Sequence, residues 1–217
     1  MLIKEPLNKR ISGQKILDNI SFSLQPGDRV LLLGHNGAGK STLLKILAGL
    51  MDYDSGKFQS GKVTYQGHEL GLYDELSIAE NISLFLKLCS NSKSLSEILN
   101  AWDLMSDAEK LINRVSQGLK FRTALACSFL KDFDLALLDE PTTALDEKAF
   151  ANLSEHIKSD SNKSYIIASH DFLRLSYLVN RVIILDKGAL VHDEVVNEST
   201  SINVSEYINN IYLKFRK

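Results

Sequence analysis

Four short runs in this chain, at 29–33, 135–138, 165–168 and 182–185, are apolar on both alternations. Strands read this way when a parallel sheet is covered on both faces. Between them lie longer segments with helical spacing, at 40–48, 119–130 and 144–157, the first stopping at Gly49. Strands alternating with helices predict an α/β sheet. The beginning of the chain differs. Residues 15–24 alternate imperfectly and end at the turn signal Pro26-Gly27-Asp28,. Together with 62–65 they predict a small antiparallel β region near the N-terminus. From 78 to about 111 the spacing is helical with no strand candidate, which predicts a helical lobe inserted between core segments 1–77 and 112–217. The polar stretch 90–96 is expected to be a loop within that lobe. The tail from 196 to 217 is polar and then amphipathic, and is expected to close the fold as a helix packed on the core.

Composition adds limits rather than identity. With 217 residues the chain can bury a full core as one domain, and its net charge of -2 leaves no basic surplus to hold nucleic acid,. Cys89 and Cys127 are far apart and have no metal-ligand spacing, so two reduced thiols are expected,. The N-terminus lacks the apolar segment of a signal peptide. The longest apolar runs fall far short of the ~20 residues a membrane span needs. A role at a membrane would require another chain to supply the spans.

One motif changes the picture. Gly34-His35-Asn36-Gly37-Ala38-Gly39-Lys40-Ser41-Thr42 follows the apolar run at 30–33 and opens the segment that stops at Gly49. This is a phosphate-binding loop in its strand–loop–helix setting, and it implies ATP with Mg²⁺. Its glycines let the backbone curl with N–H groups inward. The helix N-terminus adds partial positive charge beneath the phosphates. Lys40 is expected to bridge the β- and γ-phosphates, Ser41 to bind magnesium through its hydroxyl, and Thr42 to donate to a phosphate oxygen. The strand at 135–138 ends in Asp139-Glu140-Pro141. A buried parallel strand delivers its last residues to the sheet edge where ligands bind. Asp139 is therefore expected to hold magnesium, and Glu140 to orient and deprotonate an attacking water.

With these residues in hand, the chain resembles the ATP-binding cassette (ABC) ATPases over nearly its whole length. Thr143-Ala144-Leu145-Asp146 looks like the D-loop, and His170 in Ser169-His170-Asp171 looks like the switch histidine. The resemblance implies a P-loop NTPase, RecA-like fold with a mostly parallel sheet, an N-terminal antiparallel β region and an inserted helical subdomain. It also implies a head-to-tail pair of cassettes, each ATP held between one phosphate loop and the other chain's signature motif. In that arrangement His170 contacts the γ-phosphate and Asp146 ties the two sites together.

Three motifs depart from the family pattern. The signature reads Val115-Ser116-Gln117-Gly118-Leu119 rather than Leu-Ser-Gly-Gly-Gln, keeping Ser116 and Gly118 as the groups expected to meet the partner's nucleotide. The Q-loop glutamine position falls on His68 and not on Gln66, so His68 is expected near the magnesium or the water. The aromatic adenine platform is missing from 9–14, where Ile11 could pack on the base or Arg10 stack over it.

The leading expectation is an ATPase subunit on the cytoplasmic face of the inner or plasma membrane, a homodimer coupled to a separate transmembrane permease. Export fits better than import because the chain carries no regulatory domain by Lys217. The turn at Gly67-His68-Glu69 is similar to the ATPase subunits of the haem exporter used in cytochrome c maturation. A generic exporter of lipid, polysaccharide or drug is the second subclass. Two alternatives differ in kind: a soluble ABC protein acting on DNA or the ribosome, and a weakly catalytic nucleotide-binding partner in a heterodimer.

Overall fold

The computed structural model describes residues 1–196 and 204–214. A six-stranded sheet forms the centre, in the order β5-β6-β7-β3-β8-β9. Its strands are β3 (Arg29–Leu33), β5 (Val63–Gln66), β6 (Leu135–Asp139), β7 (Ser164–Ala168), β8 (Arg181–Asp186) and β9 (Ala189–Val195). All neighbours pair in parallel except β9, which closes one edge antiparallel to β8. The four apolar runs are four of the parallel strands. Each has solvent-free faces on both sides because helices and a second sheet cover them. A three-stranded antiparallel sheet, β2-β1-β4, is built from β1 (Leu2–Ile11), β2 (Gln14–Ile20) and β4 (Ser55–Gln59).

Two sequence expectations are corrected here. The run at 62–65 does not join the antiparallel region. As β5 it is a parallel edge strand of the main sheet, with Val63 opposite Leu135 and Gln66 opposite Leu138. Its alternation, with Thr64 and Gln66 buried and Val63 and Tyr65 half-buried, looks antiparallel only because an edge strand is incompletely covered,. The antiparallel sheet uses instead β1 and β4, whose polar-rich sequences hide the pattern. In β1 only Ile3 and Leu7 are fully buried.

The helices are α1 (Lys40–Leu47), α2 (Ile78–Leu88), α3 (Leu95–Ala101), α4 (Gln117–Ser128), α5 (Glu147–Lys158), α6 (Phe172–Leu175) and α7 (Val204–Lys214). Caps, not apolar spacing, set their starts. Ser77 and Ser94 each form a capping box, with Glu80 and Glu97 respectively, so α3 begins inside the stretch expected to be a loop,. Ser116 starts α4 two residues early, and Asp146 delays α5 to Glu147 by accepting from the Ala149 N–H at 2.8 Å,. The segment 78–111 carries α2, α3 and a short 3₁₀ turn but no named strand. Within the tail, the Ile211 side chain is buried in the core, while 197–203 and 215–217 lie outside the described residues.

Alternate strand positions feed two cores. Leu31, Leu33, Ala136, Leu138, Ile167 and Ile184 point to one side, where the lobe residues Ile78, Ile82 and Trp102 join them. Val30, Leu32, Leu137, Ile166, Ile183 and Leu185 point to the other, against α1 and the antiparallel sheet. Among the described residues no helix is long and apolar enough to cross a membrane. Both cysteines are free, and burial pushes the Cys127 thiol up to about 12, so it is an inert apolar side chain,.

One contact behind the sheet has a pH consequence. The His156 ring lies 4.3 Å from that of Trp102, and its Nδ1 faces the Asn152 carbonyl at 2.9 Å. Burial lowers its pKa from 6.5, helped by the Lys93 charge and opposed by the Asn152 hydrogen bond and Glu155. A base kept neutral by the fold stabilises it fully above the unfolded pKa. That contribution is lost as pH falls from there through the lower folded pKa. Thermal unfolding at about pH 7.5 and about pH 5.5 should therefore show a larger acid-induced drop in Tm for wild type than for His156→Gln. Equal drops would remove His156 from the account of acid sensitivity.

Candidate active site

Strand register gathers the candidate residues at one sheet edge. Leu32 pairs with Ala168, and Ala168 with Asp139. The loop after β3, the acids ending β6 and the His170 segment after β7 therefore emerge side by side. Gln66 pairs with Leu138, which brings Gly67 and His68 beside Asp139 and Glu140.

The loop that leaves β3 has the backbone its glycines permit. Gly39 is the N-cap of α1, with φ of 100° and no side chain capping the helix. A β-carbon there would lie 2.8 Å from the Ile16 carbonyl and would be strained at that φ,. The first N–H groups of α1 are left without a side-chain acceptor, as an anion site requires. Lys40 folds back over the loop: Nζ donates to the Gly34 carbonyl at 2.7 Å and lies 3.3 Å from His170 Nε2. Burial holds this ammonium below the usual lysine value, opposed by the charges of Glu140 and Asp139,.

Around Lys40 the remaining groups converge. A cavity of about 220 Å³ is lined by the residues from His35 through Thr42 together with Ile16, His68, Glu140 and His170. Glu140 has a left-handed backbone, φ 53°, rare for this residue type,. Its N–H donates to the Ala168 carbonyl at 2.8 Å, and its carboxylate accepts from the His170 N–H at 3.3 Å. His170 Nε2 sits 3.4 Å from Glu140 Oε1 and 3.0 Å from Asn36 Oδ1. His35 reaches the other way, to Asp186 at 3.0 Å.

Asp139 offers the test for a cation. It is 2 % exposed, and the Tyr65 phenol gives its carboxylate only a contact that falls short of hydrogen-bond geometry. A buried carboxylate so poorly supplied with donors is costly unless a cation compensates it. It shares a cavity with Ser41, Lys45, Tyr65, His68 and Glu69. The Tyr65 phenol is pushed up to about 12 by burial, by the negative charges of Asp139 and Glu69 and by its contact with the Asp139 carboxylate, so it stays neutral. Oxygen donors from Ser41 and Asp139 suit a hard divalent ion. His68 also lines this cavity, the loop cavity and a third one beside Gly118 and Glu140. Gln66 is committed elsewhere: its Oε1 accepts from the Ser128 hydroxyl at 2.7 Å, and its amide donates to the Gly67 carbonyl.

Ser116, Asp146 and Ile11 do not line the loop cavity, while Gly118 lines the third cavity together with His68, Asp139 and Glu140. Ser116 is exposed, its hydroxyl accepting from Leu119 N at 3.3 Å at the head of α4. Gly118 is half-buried on the same turn. The Asp146 carboxylate caps α5 and takes the Arg122 guanidinium at 3.3 Å, which also donates to the Asp103 carbonyl at 3.0 Å. Ile11 is 42 % exposed at the β1–β2 hairpin and is not among the residues lining the loop cavity. The Arg10 guanidinium is engaged by the Gly13 carbonyl at 3.0 Å. Ile16 on the same hairpin is the residue that lines the cavity, and nothing in its local sequence marks it. Tyr65 and Arg174 are likewise found only by the fold, whereas Asn36 is where its place in the loop leads one to expect it.

Residues 17–143 match the family model described as ABC transporter. An uncharacterised ABC transporter ATP-binding protein of Methanocaldococcus jannaschii is 31 % identical over 215 residues, 95 % of this chain and 82 % of that one. A cytochrome c biogenesis ATP-binding export protein of Gluconobacter oxydans is 38 % identical over 158 residues, 71 % of this chain and 74 % of that one. Relatives named as import proteins match as well. Among solved structures, a dimeric ATP-binding cassette in a post-hydrolysis state with ADP and Pi superposes with a TM-score of 0.76 at 21 % identity, over 90 % of this chain and 98 % of that one.

Proposed function

The chain belongs to the ABC transporter family and is an ATP-binding ATPase; from that premise we propose that it is the catalytic subunit of an exporter, working as a head-to-tail homodimer beneath a separate membrane protein. The observation that carries the reading is the convergence of Lys40, Glu140 and His170 on one loop, beside a buried Asp139 whose oxygens lack a well-formed hydrogen bond.

In this reading the α1 N-terminus and Lys40 hold the phosphates, with Thr42 donating to one of their oxygens. Ser41 and Asp139 would hold Mg²⁺, with His68 near it. When bound, that ion supplies charge neutralisation between the β- and γ-phosphates. Glu140 takes the proton of the attacking water, and His170 orients both the water and the γ-phosphate. The exposed Ser116 and the half-buried Gly118 head a helix N-terminus that meets the nucleotide of the second chain,. Asp146 lies at the junction, and Ile11 flanks the base. Residues 78–111 act as the lobe that passes closure of the pair to the membrane protein.

Haem-related export in cytochrome c assembly is the proposed subclass. Its support is the Gly67-His68-Glu69 turn and the 38 % identity with a relative named as a cytochrome c biogenesis ATP-binding export protein. The test is purification of the tagged chain from detergent-solubilised membranes of its own cells. A polytopic membrane protein should co-elute, and its addition should raise phosphate release. A chain that fractionates without any membrane partner would overturn the transport reading.

A further inference from the structure

The D-loop and the His170 segment are joined by a side chain that the reaction itself does not use. Arg174 lies on the short α6, four residues beyond His170, with Asp171 capping that helix and accepting from the Arg174 N–H at 3.2 Å. Its half-buried guanidinium is turned onto the D-loop. NH1 donates to the carbonyls of Thr142 and Leu145 at 3.4 and 3.2 Å, and NH2 donates to the carbonyl of Asp146 at 3.4 Å. The group stacks 4.4 Å above the Phe150 ring, on the helix that Asp146 caps. Glu147 and Asp171 flank it at 3.6 and 3.9 Å. A second link runs parallel: the hydroxyls of Thr142 and Ser169 are 3.0 Å apart and buried.

We propose that Arg174 is a positioning residue that locks the D-loop backbone to the His170 segment, so that both move as one unit when the two chains close on ATP. The geometry favours this over a generic surface contact. The carbonyls of Thr142, Leu145 and Asp146 in one loop converge on one planar fork, a pattern a lysine point charge cannot reproduce,. Those of Thr142 and Asp146 also accept the N–H groups of Leu145 and Phe150, at 3.5 and 2.9 Å, so the Leu145 carbonyl gains most from the fork,. Arg122 fixes the Asp146 carboxylate from the other side. The D-loop is thereby clamped between the helix that carries the signature residues and the segment that carries His170. Because Arg174 acts through the loop and not on the nucleotide, its loss should act on turnover and closure while nucleotide affinity stays unchanged.

This inference rests on the dimer reading above, and the experiment separates the two. With Arg174→Gln, kcat at saturating ATP should fall about tenfold while KM stays within about twofold, the pattern of an interaction made on the way to the transition state. In a Glu140→Gln background, Arg174→Gln should raise the protein concentration needed for ATP-dependent dimers by about tenfold. Affinity of the monomer for a fluorescent ATP analogue should be unchanged, and Tm should fall by no more than about 4 °C. Arg174→Lys should restore only part of kcat, because it keeps the charge and loses the fork. Wild-type kcat in Arg174→Gln, or full rescue by lysine, overturns the proposal. So does a joint loss of Tm and nucleotide affinity, which would make Arg174 merely structural. If Glu140→Gln alone stays monomeric with ATP, the dimer reading fails, and Arg174 is still judged by the split between kcat and KM.

Discussion

Glu140→Gln lowers steady-state phosphate release by about 10²- to 10⁴-fold, the usual worth of a positioned general base, while ATP binding is retained. The substitution is nearly isosteric. Glutamine can still accept from the His170 N–H and leaves the backbone bond from Glu140 N to the Ala168 carbonyl intact. It cannot accept a proton from water. The position is also strained in a telling way, since a left-handed backbone at a residue that is not glycine persists only where the surroundings over-determine it,. Here the strain turns the carboxylate from the end of a buried strand toward Lys40 and His170. Phosphate release measured at saturating ATP checks the expectation. Turnover within a few-fold of wild type would show that another group serves as the base.

Lys40→Ala weakens ATP binding by about 10- to 100-fold, since each charge-assisted hydrogen bond lost is worth about 1.5–3 kcal/mol. The Lys40 ammonium is buried and held by carbonyls of its own loop, at 2.7 Å from Gly34 and 3.4 Å from His35. Those are the contacts a phosphate oxygen would replace. The electrostatics run the same way: burial disfavours the charged ammonium, and only the carboxylates of Glu140 and Asp139 offset it. An arriving polyphosphate supplies the compensation that the site lacks. Titration with a fluorescent nucleotide, with Tm as a control for folding, reads the effect. Unchanged affinity in a folded variant would contradict the role given to Lys40.

The sequence revealed these two positions for different reasons. Lys40 sits in a motif whose spacing is dictated by the phosphate it cradles, so chemistry and sequence order coincide. Glu140 is legible because a fully apolar strand precedes it, and both of its cores are covered. The edge strand β5 misled because half-burial imitates the alternation of a one-sided antiparallel sheet. The N-terminal sheet escaped because few of its side chains are buried. What remained invisible was whatever depends on register and crossover rather than spacing. The pairing of Gln66 with Leu138 delivers His68 to the acids, and the Ser128 hydroxyl removes Gln66 from them. Ile16, not Ile11, reaches the loop cavity because the hairpin folds that residue over Gly39. Arg174 reads as an ordinary surface arginine until the D-loop carbonyls are placed around it.

In the proposed dimer this chain supplies only half of each nucleotide site. Ser116 is exposed at the head of α4, where among the described residues its hydroxyl only caps that helix. Ser116 does not line the cavity that gathers Lys40, Glu140 and His170. Sedimentation of the Glu140→Gln protein with ATP and Mg²⁺, compared with ADP, tests this most directly. The expected result is a dimer with ATP that reverts to monomer with ADP and is abolished by Ser116→Arg. A protein that binds ATP yet sediments as a monomer at every ATP concentration would contradict it.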